Sequence, residues 1–370
     1  MIGWCNVVPV LRRVRLAVAV VALFAVGCSG IGVNASGAAG AATTTTAGLI
    51  DIGSGLEGPA GLAAAVASVG APNVAALAED ADGRLWFGTA DYTDSGSDGV
   101  YLSTGTGTAP IEVISGQHTV LGLLWHDGEL FVASKERVDA YTGFNGTTFA
   151  STRNVVTFAA GVGEVNGIVI SSDGRLRLGI SSPCDSCTPT IAGGGSVVSF
   201  LPDGSDLRID ATGIRAPVGL AVVPGTSALL VTMNQRDDLD TKTPGDWLSS
   251  ISAGQDWKQP ACYGQGGTDC SGVPAPVATL DQHAAASGVA VVTGSLGPTI
   301  GTSAFVAEWT KGVVLRVDLT ETAGTYSGSA VPFIEGITKP MPVLTWSTGG
   351  LLIGDWATGT IYEISTSEAA

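Results

Sequence analysis

Apolar runs of strand length recur along the chain, each followed by a Gly/Asp turn and a second apolar run. The copies are ALAEDADGRLWFGT (76–89), GLLWHDGELFVAS (122–134), GIVISSDGRLRLGIS (167–181), GLAVVPGTSALLVTM (219–233), GVAVVTGSLGPTIGTSAFVAE (288–308) and PVLTWSTGGLLIGD (342–355). Their second runs begin at Leu85, Leu130, Leu176, Leu229, Ala304 and Leu351, in steps of 45, 46, 53, 75 and 47. That spacing is the length of a four-stranded propeller blade. The Asp-Gly pairs at 82–83, 127–128 and 173–174 suit tight hairpin turns, which need positive φ. A third run follows each pair, such as GVYLSTG (99–105), and then a fourth, such as IEVISG (111–116). The sixth copy stops after TIYEIS (360–365), whereas GLAAAVASVG (61–70) precedes the first copy as an unpaired fourth run. The pattern predicts an all-β, six-bladed propeller closed by its N-terminal strand, which removes an open sheet edge.

The N-terminus departs from this pattern. Arg12, Arg13 and Arg15 precede the uncharged run LAVAVVALFAVG (16–27), the layout of a secretory signal. Twelve helical residues rise about 18 Å, too short to span a bilayer. The run ends in Ala25-Val26-Gly27-Cys28, which resembles the bacterial lipobox; that resemblance implies cleavage before Cys28 and a lipid on its sulfur. The expected division is a signal peptide (1–27), a lipidated Cys28 with a flexible tether (28–57), and the propeller (58–370). The expected location is the outer face of the bacterial cell membrane.

Composition narrows the chemistry. The 370 residues carry 17 Lys and Arg against 33 Asp and Glu, a formal charge of −16. Loss of the leader removes three arginines and no acid, so the mature charge is 14 − 33 = −19. Such a surface repels nucleic acid and anionic lipid. With Cys5 in the leader and Cys28 the lipid candidate, four cysteines remain as local pairs, Cys184/Cys187 and Cys262/Cys270. An even number outside the cytoplasm points to two disulfides. A four-Cys zinc site is the alternative, although the second pair is widely spaced and no His adjoins either.

In a propeller, the loops from fourth to first strands and from second to third strands surround the mouth of the central channel. The first set brings together Asn73, Gln117, His118, Glu164, Asn166, Arg215, His283 and Lys339. The second set contains Asp91, Asp94, Asp98, the Cys184–Cys187 excursion and a long 234–280 insertion. The eight tryptophans read as blade packing, and His126 as a surface turn residue. No GxSxG elbow is present to support Ser-His-Asp catalysis.

The stretches NGIVISSDGRLRLGISSPCDSC (166–187), ATGIRAPVGLA (211–221), MNQRDDLDTKTPGDWL (233–248), GQDWKQPACYG (254–264) and QHAAASG (282–288) resemble the glucose/sorbosone dehydrogenase family. The similar features there are an Arg-Asn-Pro-x-Gly loop, an Asn-x-Arg-Asp loop and a Tyr-Gly-Trp-Pro loop, in the same blade order over roughly residues 70 to 365. The resemblance implies a soluble-quinoprotein-type propeller that uses pyrroloquinoline quinone (PQQ) and calcium to oxidise a sugar, passing electrons to an unknown acceptor. It implies that Arg215 faces substrate and cofactor, and that Gln117, Lys311, Lys339 and His283 contact the cofactor. It also implies that the segment carrying Gln235, Arg236 and Asp237 holds calcium. The family's catalytic His lies before the first strand of the third blade, where this chain reads GVGEVNG (161–167). The candidates for the base are therefore Glu164, His118 and His283. Hydride loss from a sugar needs such a base and a cofactor to take the hydride, because no side chain accepts one. A non-catalytic binding propeller that has lost its base is the alternative. A calcium-dependent lactonase is the weaker one, because among the mouth loops only Glu164 offers it a ligating carboxylate.

Overall fold

A computed structural model describes residues 48–264 and 269–367. The signal peptide, Cys28 and most of the expected tether lie outside the described residues. Six antiparallel four-strand arrays follow one another in chain order. Blade one uses Val74–Glu79, Leu85–Thr89, Asp98–Leu102 and Ile111–Gln117; blade two uses Gly122–His126, Glu129–Ser134, Arg137–Thr142 and Ser151–Thr157. Blade three uses Val165–Ile170, Leu176–Ile180, Ser196–Phe200 and Arg208–Thr212; blade four uses Ala216–Val222, Leu229–Asn234, Gly245–Ile251 and Ala278–Gln282. Blade five uses Ala286–Thr293, Thr302–Glu308, Val313–Asp318 and Ala330–Glu335. Blade six takes Pro340–Thr345, Leu351–Asp355 and Ile361–Thr366 from the C-terminus and Leu62–Ser68 from the N-terminus. The closing strand pairs along its whole length, from Leu62 opposite Thr366 to Ser68 opposite Ile361.

The repeated sequence pattern has a local cause in each blade. The turn between the first two strands of blade two is Asp127-Gly128, with φ of 49° and 77°, the positive pair of a two-residue hairpin. First strands bulge soon after they start, as between Val165 and Ile168, Pro217 and Leu220, and Ala286 and Val289. Glycines there let neighbouring first strands approach backbone to backbone. A Cβ on Gly122 would lie 2.6 Å from the Asn166 carbonyl oxygen, and one on Gly288 2.6 Å from that of Met341. Each junction between blades buries its own apolar cluster, such as Phe131, Val138, Leu176 and Phe200 between blades two and three. The first strands thereby enclose an apolar axial channel of about 460 Å³.

Two boundaries differ from the sequence expectation. Residues 50–58 are not tether: Ile50–Gly53 and Leu56–Gly58 form a hairpin that widens blade five by two strands. Ile52 and Leu56 bury against Ile334 and Phe333 there, an apolar signal that the small polar residues around it obscure. The 234–280 insertion is not one loop. The third strand Gly245–Ile251 divides it, so residues 235–244 lie at the mouth while 252–277 leave from the opposite end. The second part returns along the outer edge of blade three, where Gln255–Asp256 pairs in parallel with Ala211 and Thr212. Both cysteine pairs are disulfides, Cys184–Cys187 and Cys262–Cys270, which sets aside the zinc alternative.

Candidate functional site

Buried carboxylates hold the mouth loops by capping their backbone N–H groups. Asp98 accepts from Asp91 and Thr119, at 2.9 Å each. Asp246 accepts from Gln235 (2.8 Å) and Ala286 (3.0 Å), and Asp355 from Thr338, Lys339 and Ala357. Asp98 and Asp246 tie the loop leaving a blade's second strand to the loop entering the next blade, and Asp355 ties the turn after blade six's second strand to the loop entering that same blade. Burial raises the Asp98 pKa and pushes Asp246 up to about 6. The loops are thus fixed in place before any ligand arrives.

Three groups of side chains stand on this frame. The first joins blades one to three. His118 places Nδ1 2.9 Å from the Asp94 carbonyl oxygen. A carbonyl only accepts, so Nδ1 carries the proton and Nε2 keeps its lone pair. The Asp94 carboxylate bonds Lys135 Nζ and takes the Thr119 hydroxyl at 3.2 Å. Glu164 faces this ion pair. Burial, then the Asp94 charge, raises its pKa, and Lys135 partly opposes them. Its Oε2 is buried with no hydrogen-bond partner among the described residues.

The second group joins blades three to five. Arg215 donates Nε to Asp185 Oδ1 at 2.6 Å and approaches Asp237 Oδ2 at 3.5 Å. Asp237 Oδ1 lies 3.1 Å from His283 Nδ1, and His283 Nε2 lies 3.1 Å from the Asp240 carbonyl oxygen. Both partners of His283 are oxygens of the 235–244 loop, so each ring nitrogen already faces a protein group. His283 therefore clasps the 235–244 loop and leaves no ring nitrogen free for a substrate. The Thr310 hydroxyl holds the His283 carbonyl from blade five.

The third group is an apolar floor at the channel mouth. Ala75, Ala90, Leu121 and Met341 pack beneath Trp309 and Trp356, whose rings meet edge to face at 5.5 Å. Lys339 Nζ lies 4.1 Å from the Trp309 ring centre. These two tryptophans lie on mouth loops rather than on strands, a correction to their reading as blade packing.

The remaining candidates stand apart. Gln117 ends the fourth strand of blade one; its amide donates to the Ser115 carbonyl (3.3 Å) and meets Tyr141 on blade two. Lys311 is exposed and follows the second strand of blade five. Gln235 is buried with its amide on the Met233 carbonyl, and Arg236 forks onto Asp238 and covers Tyr263. Sequence reasoning missed Lys135, Asp185, Trp309 and Trp356. Lys135 and both tryptophans follow second strands, as Asp91 does, and Asp185 lies inside the Cys184–Cys187 pair; those positions are the signals that find them.

Among the described residues no three His, Cys, Asp or Glu converge to hold a metal ion. Two neutral side-chain oxygens of the kind a calcium ion takes are unused: Asn234 Oδ1 and Gln259 Oε1 are buried without partners among the described residues, and Gln259 bonds the Asp185 carbonyl through Nε2 at 2.9 Å. The Trp309 and Trp356 pair offers an apolar ring surface at the mouth, and Lys339 and Lys311 have no carboxylate partner among the described residues.

Comparisons with known proteins agree with this fold. The PQQ-bound aldose sugar dehydrogenase of Streptomyces coelicolor superposes with a TM-score of 0.65 at 18% identity, over 84% of this chain and 100% of that one. The fold is that of these sugar dehydrogenase propellers. The calcium structure of the Trichoderma reesei carbohydrate-active enzyme family AA12 gives a TM-score of 0.67 at 17% identity, covering 84% and 96%. The soluble aldose sugar dehydrogenase of Escherichia coli gives 0.63 at 16%, covering 83% and 100%. Residues 68–91 match the family described as a two component regulator propeller, a stretch that holds the first two strands of blade one. No curated protein matches the chain.

Proposed function

We propose that the mouth binds a sugar and that the chain is a PQQ- and calcium-type sugar dehydrogenase, anchored to the cell membrane through a lipid on Cys28. The observation that carries this reading is His118, exposed on a mouth loop, whose Nδ1 is committed to a carbonyl while Nε2 has no partner among the described residues. A fixed tautomer with a free Nε2 is what proton removal from a hydroxyl requires. When bound, PQQ supplies the two-electron, hydride-accepting chemistry that the side chains lack. The Trp309 and Trp356 pair would pack against its ring system, and Lys339 and Arg215 would face its carboxylates. Asn234 and Gln259 would hold calcium beside it.

The chain's own part is then binding and proton transfer. His118 Nε2 takes the proton of the sugar hydroxyl. The imidazolium that forms faces Asp94 and the acid-rich loops, which stabilise its charge. Glu164 sets the charge beside the Asp94–Lys135 pair, and Lys135 holds Asp94, and hence His118, in place.

Absorbance titration of the purified chain with PQQ and calcium, followed by dye reduction with an aldose panel, tests the reading. Saturable binding with turnover is the expected result, and His118→Gln removes turnover while leaving binding. No binding at micromolar PQQ contradicts it. One observation favours a second reading, a non-catalytic binding propeller: Arg215 is already engaged by two carboxylates, leaving less of it for an anionic cofactor. Binding of a sugar without turnover at saturating PQQ supports that reading.

A further inference from the structure

We propose that Asp185, held inside the Cys184–Cys187 disulfide, is the positioning residue that aims Arg215 at an anionic ligand group in the mouth. The inference rests on the reading of Arg215 as a ligand-facing cation. Asp185 is the meeting point of four separate segments. Its Oδ1 receives Arg215 Nε at 2.6 Å, and its Oδ2 receives the Asp237 N–H at 2.9 Å. Its carbonyl oxygen receives Gln259 Nε2 at 2.9 Å. The Ser182 N–H meanwhile bonds the Arg215 carbonyl at 2.6 Å, so main chain and side chain are tied to the same loop.

A guanidinium is planar and rigid, so its direction is set once two nitrogens are placed. Asp185 holds Nε, and Asp237 approaches Nη2 at 3.5 Å. Nη1 has no partner among the described residues and forms the free corner of the fork. Without the Asp185 carboxylate, Asp237 becomes the only acid within ion-pair reach, and the fork turns toward it and away from the ligand.

Each disulfide lies beside a contact of Asp185, one around the residue itself and one next to the segment that holds its carbonyl. Cys184–Cys187 spans only three positions and encloses Asp185. Cys262–Cys270 pins the segment that carries Gln259, where the Cys262 N–H bonds the Lys258 carbonyl at 2.9 Å and the Gln259 N–H that of Gly213 at 2.8 Å. The Cys184–Cys187 loop and the segment just before Cys262 thus meet at one acid that is partly exposed, its side chain at 29%. Neither closes a loop long enough to matter much to global stability. Their shared effect is local, the placement of Asp185.

The test uses Asp185→Asn, which keeps the shape and removes the charge, and Asp185→Glu, which keeps the charge. The first readout is the Arg215 Nε–H signal in ¹⁵N–¹H NMR of the full chain, assigned by its absence in Arg215→Lys. It is expected to exchange slowly in the wild type and in Asp185→Glu, and to be lost by exchange in Asp185→Asn. Cys184→Ser/Cys187→Ser is expected to lose the same signal while still unfolding cooperatively. The second readout is dye-linked aldose oxidation with PQQ and calcium. The PQQ concentration for half-saturation is expected to rise about tenfold or more in Asp185→Asn, with turnover at saturating PQQ changed by no more than about threefold and the affinity kept in Asp185→Glu, the mark of a lost contact to the anionic group. An Nε–H signal that persists in Asp185→Asn overturns the proposal. If the wild-type chain takes no PQQ, the oxidation reading fails on its own, and the Nε–H signal alone decides the role of Asp185.

Discussion

Glu308 ends the second strand of blade five with no exposure to solvent. Its Oε1 takes the Asp281 N–H at 3.0 Å, while Oε2 is buried without a partner. Burial above all, and then the neighbouring Asp281 and Asp246 carboxylates, push its pKa up to about 8 from 4.5. An Oε2 that carries a proton shared with Asp281 resolves the missing partner. The native state therefore holds a proton that the unfolded chain has released above about pH 4.5. The stabilisation is complete below that pH and is lost as pH rises through about 8. Asp246, at about 6 against 3.8, acts with the same sign in a lower window. One pKa unit is about 1.4 kcal/mol, so the Glu308 effect is of the order of a few kcal/mol. At roughly 2–4 °C per kcal/mol, the melting temperature should fall by several degrees between pH 5 and pH 8.5. Glu308→Gln keeps the acceptor for Asp281 N–H, adds a permanent donor toward the Asp281 carboxylate, and cannot ionise. It is expected to flatten the fall by at least half and to be the more stable protein at pH 8.5. Scanning calorimetry at constant ionic strength measures both. Parallel curves for the two proteins refute the assignment of that proton to Glu308.

Other outcomes follow from the same structure. Glu164→Gln, with the raised carboxyl replaced by an amide, should lower aldose turnover by about 10²-fold without lowering PQQ affinity, as steady-state kinetics with absorbance titration will show. Gly288→Ala sets a Cβ 2.5 Å from the Val343 nitrogen and should cost about 1–3 kcal/mol in denaturant unfolding. Gly107→Ala, with open space around it, should stay within about 0.5 kcal/mol. Deletion through Gly58 should leave a folded ring with a lower melting temperature, because Ile52 and Leu56 lose their burial. Deletion through Val69 also removes the closing strand and should yield aggregates on size-exclusion chromatography, because an open blade edge is a template for pairing.

The ring was readable because it rests on local rules that repeat. Gly/Asp turns, apolar alternation and blade-length spacing report on themselves, and the orphan run at 61–70 announces the missing partner of Ile361–Thr366. The hairpin at 50–58 was hidden, because its two buried apolar residues, Ile52 and Leu56, are too few to make a periodic signal. Mouth position was also readable, since Arg215, His118, Glu164, His283 and Lys339 all fall on loops between blades. Their partners were not. Nothing in sequence spacing distinguishes His118, with one acceptor, from His283, with two, yet that difference separates a free base from a clasp. The same holds for the two cysteine pairs, whose convergence on Asp185 depends on a segment that leaves one end of blade four and returns along blade three.

The account turns most directly on whether the mouth takes PQQ and oxidises sugar through His118. The decisive measurement is dye-linked aldose oxidation by the purified chain with PQQ and calcium, comparing wild type with His118→Gln and following bound PQQ by its absorbance. The account predicts saturable, calcium-dependent binding in both proteins and turnover in the wild type alone. Turnover that survives in His118→Gln, or no PQQ bound by the wild type, contradicts it.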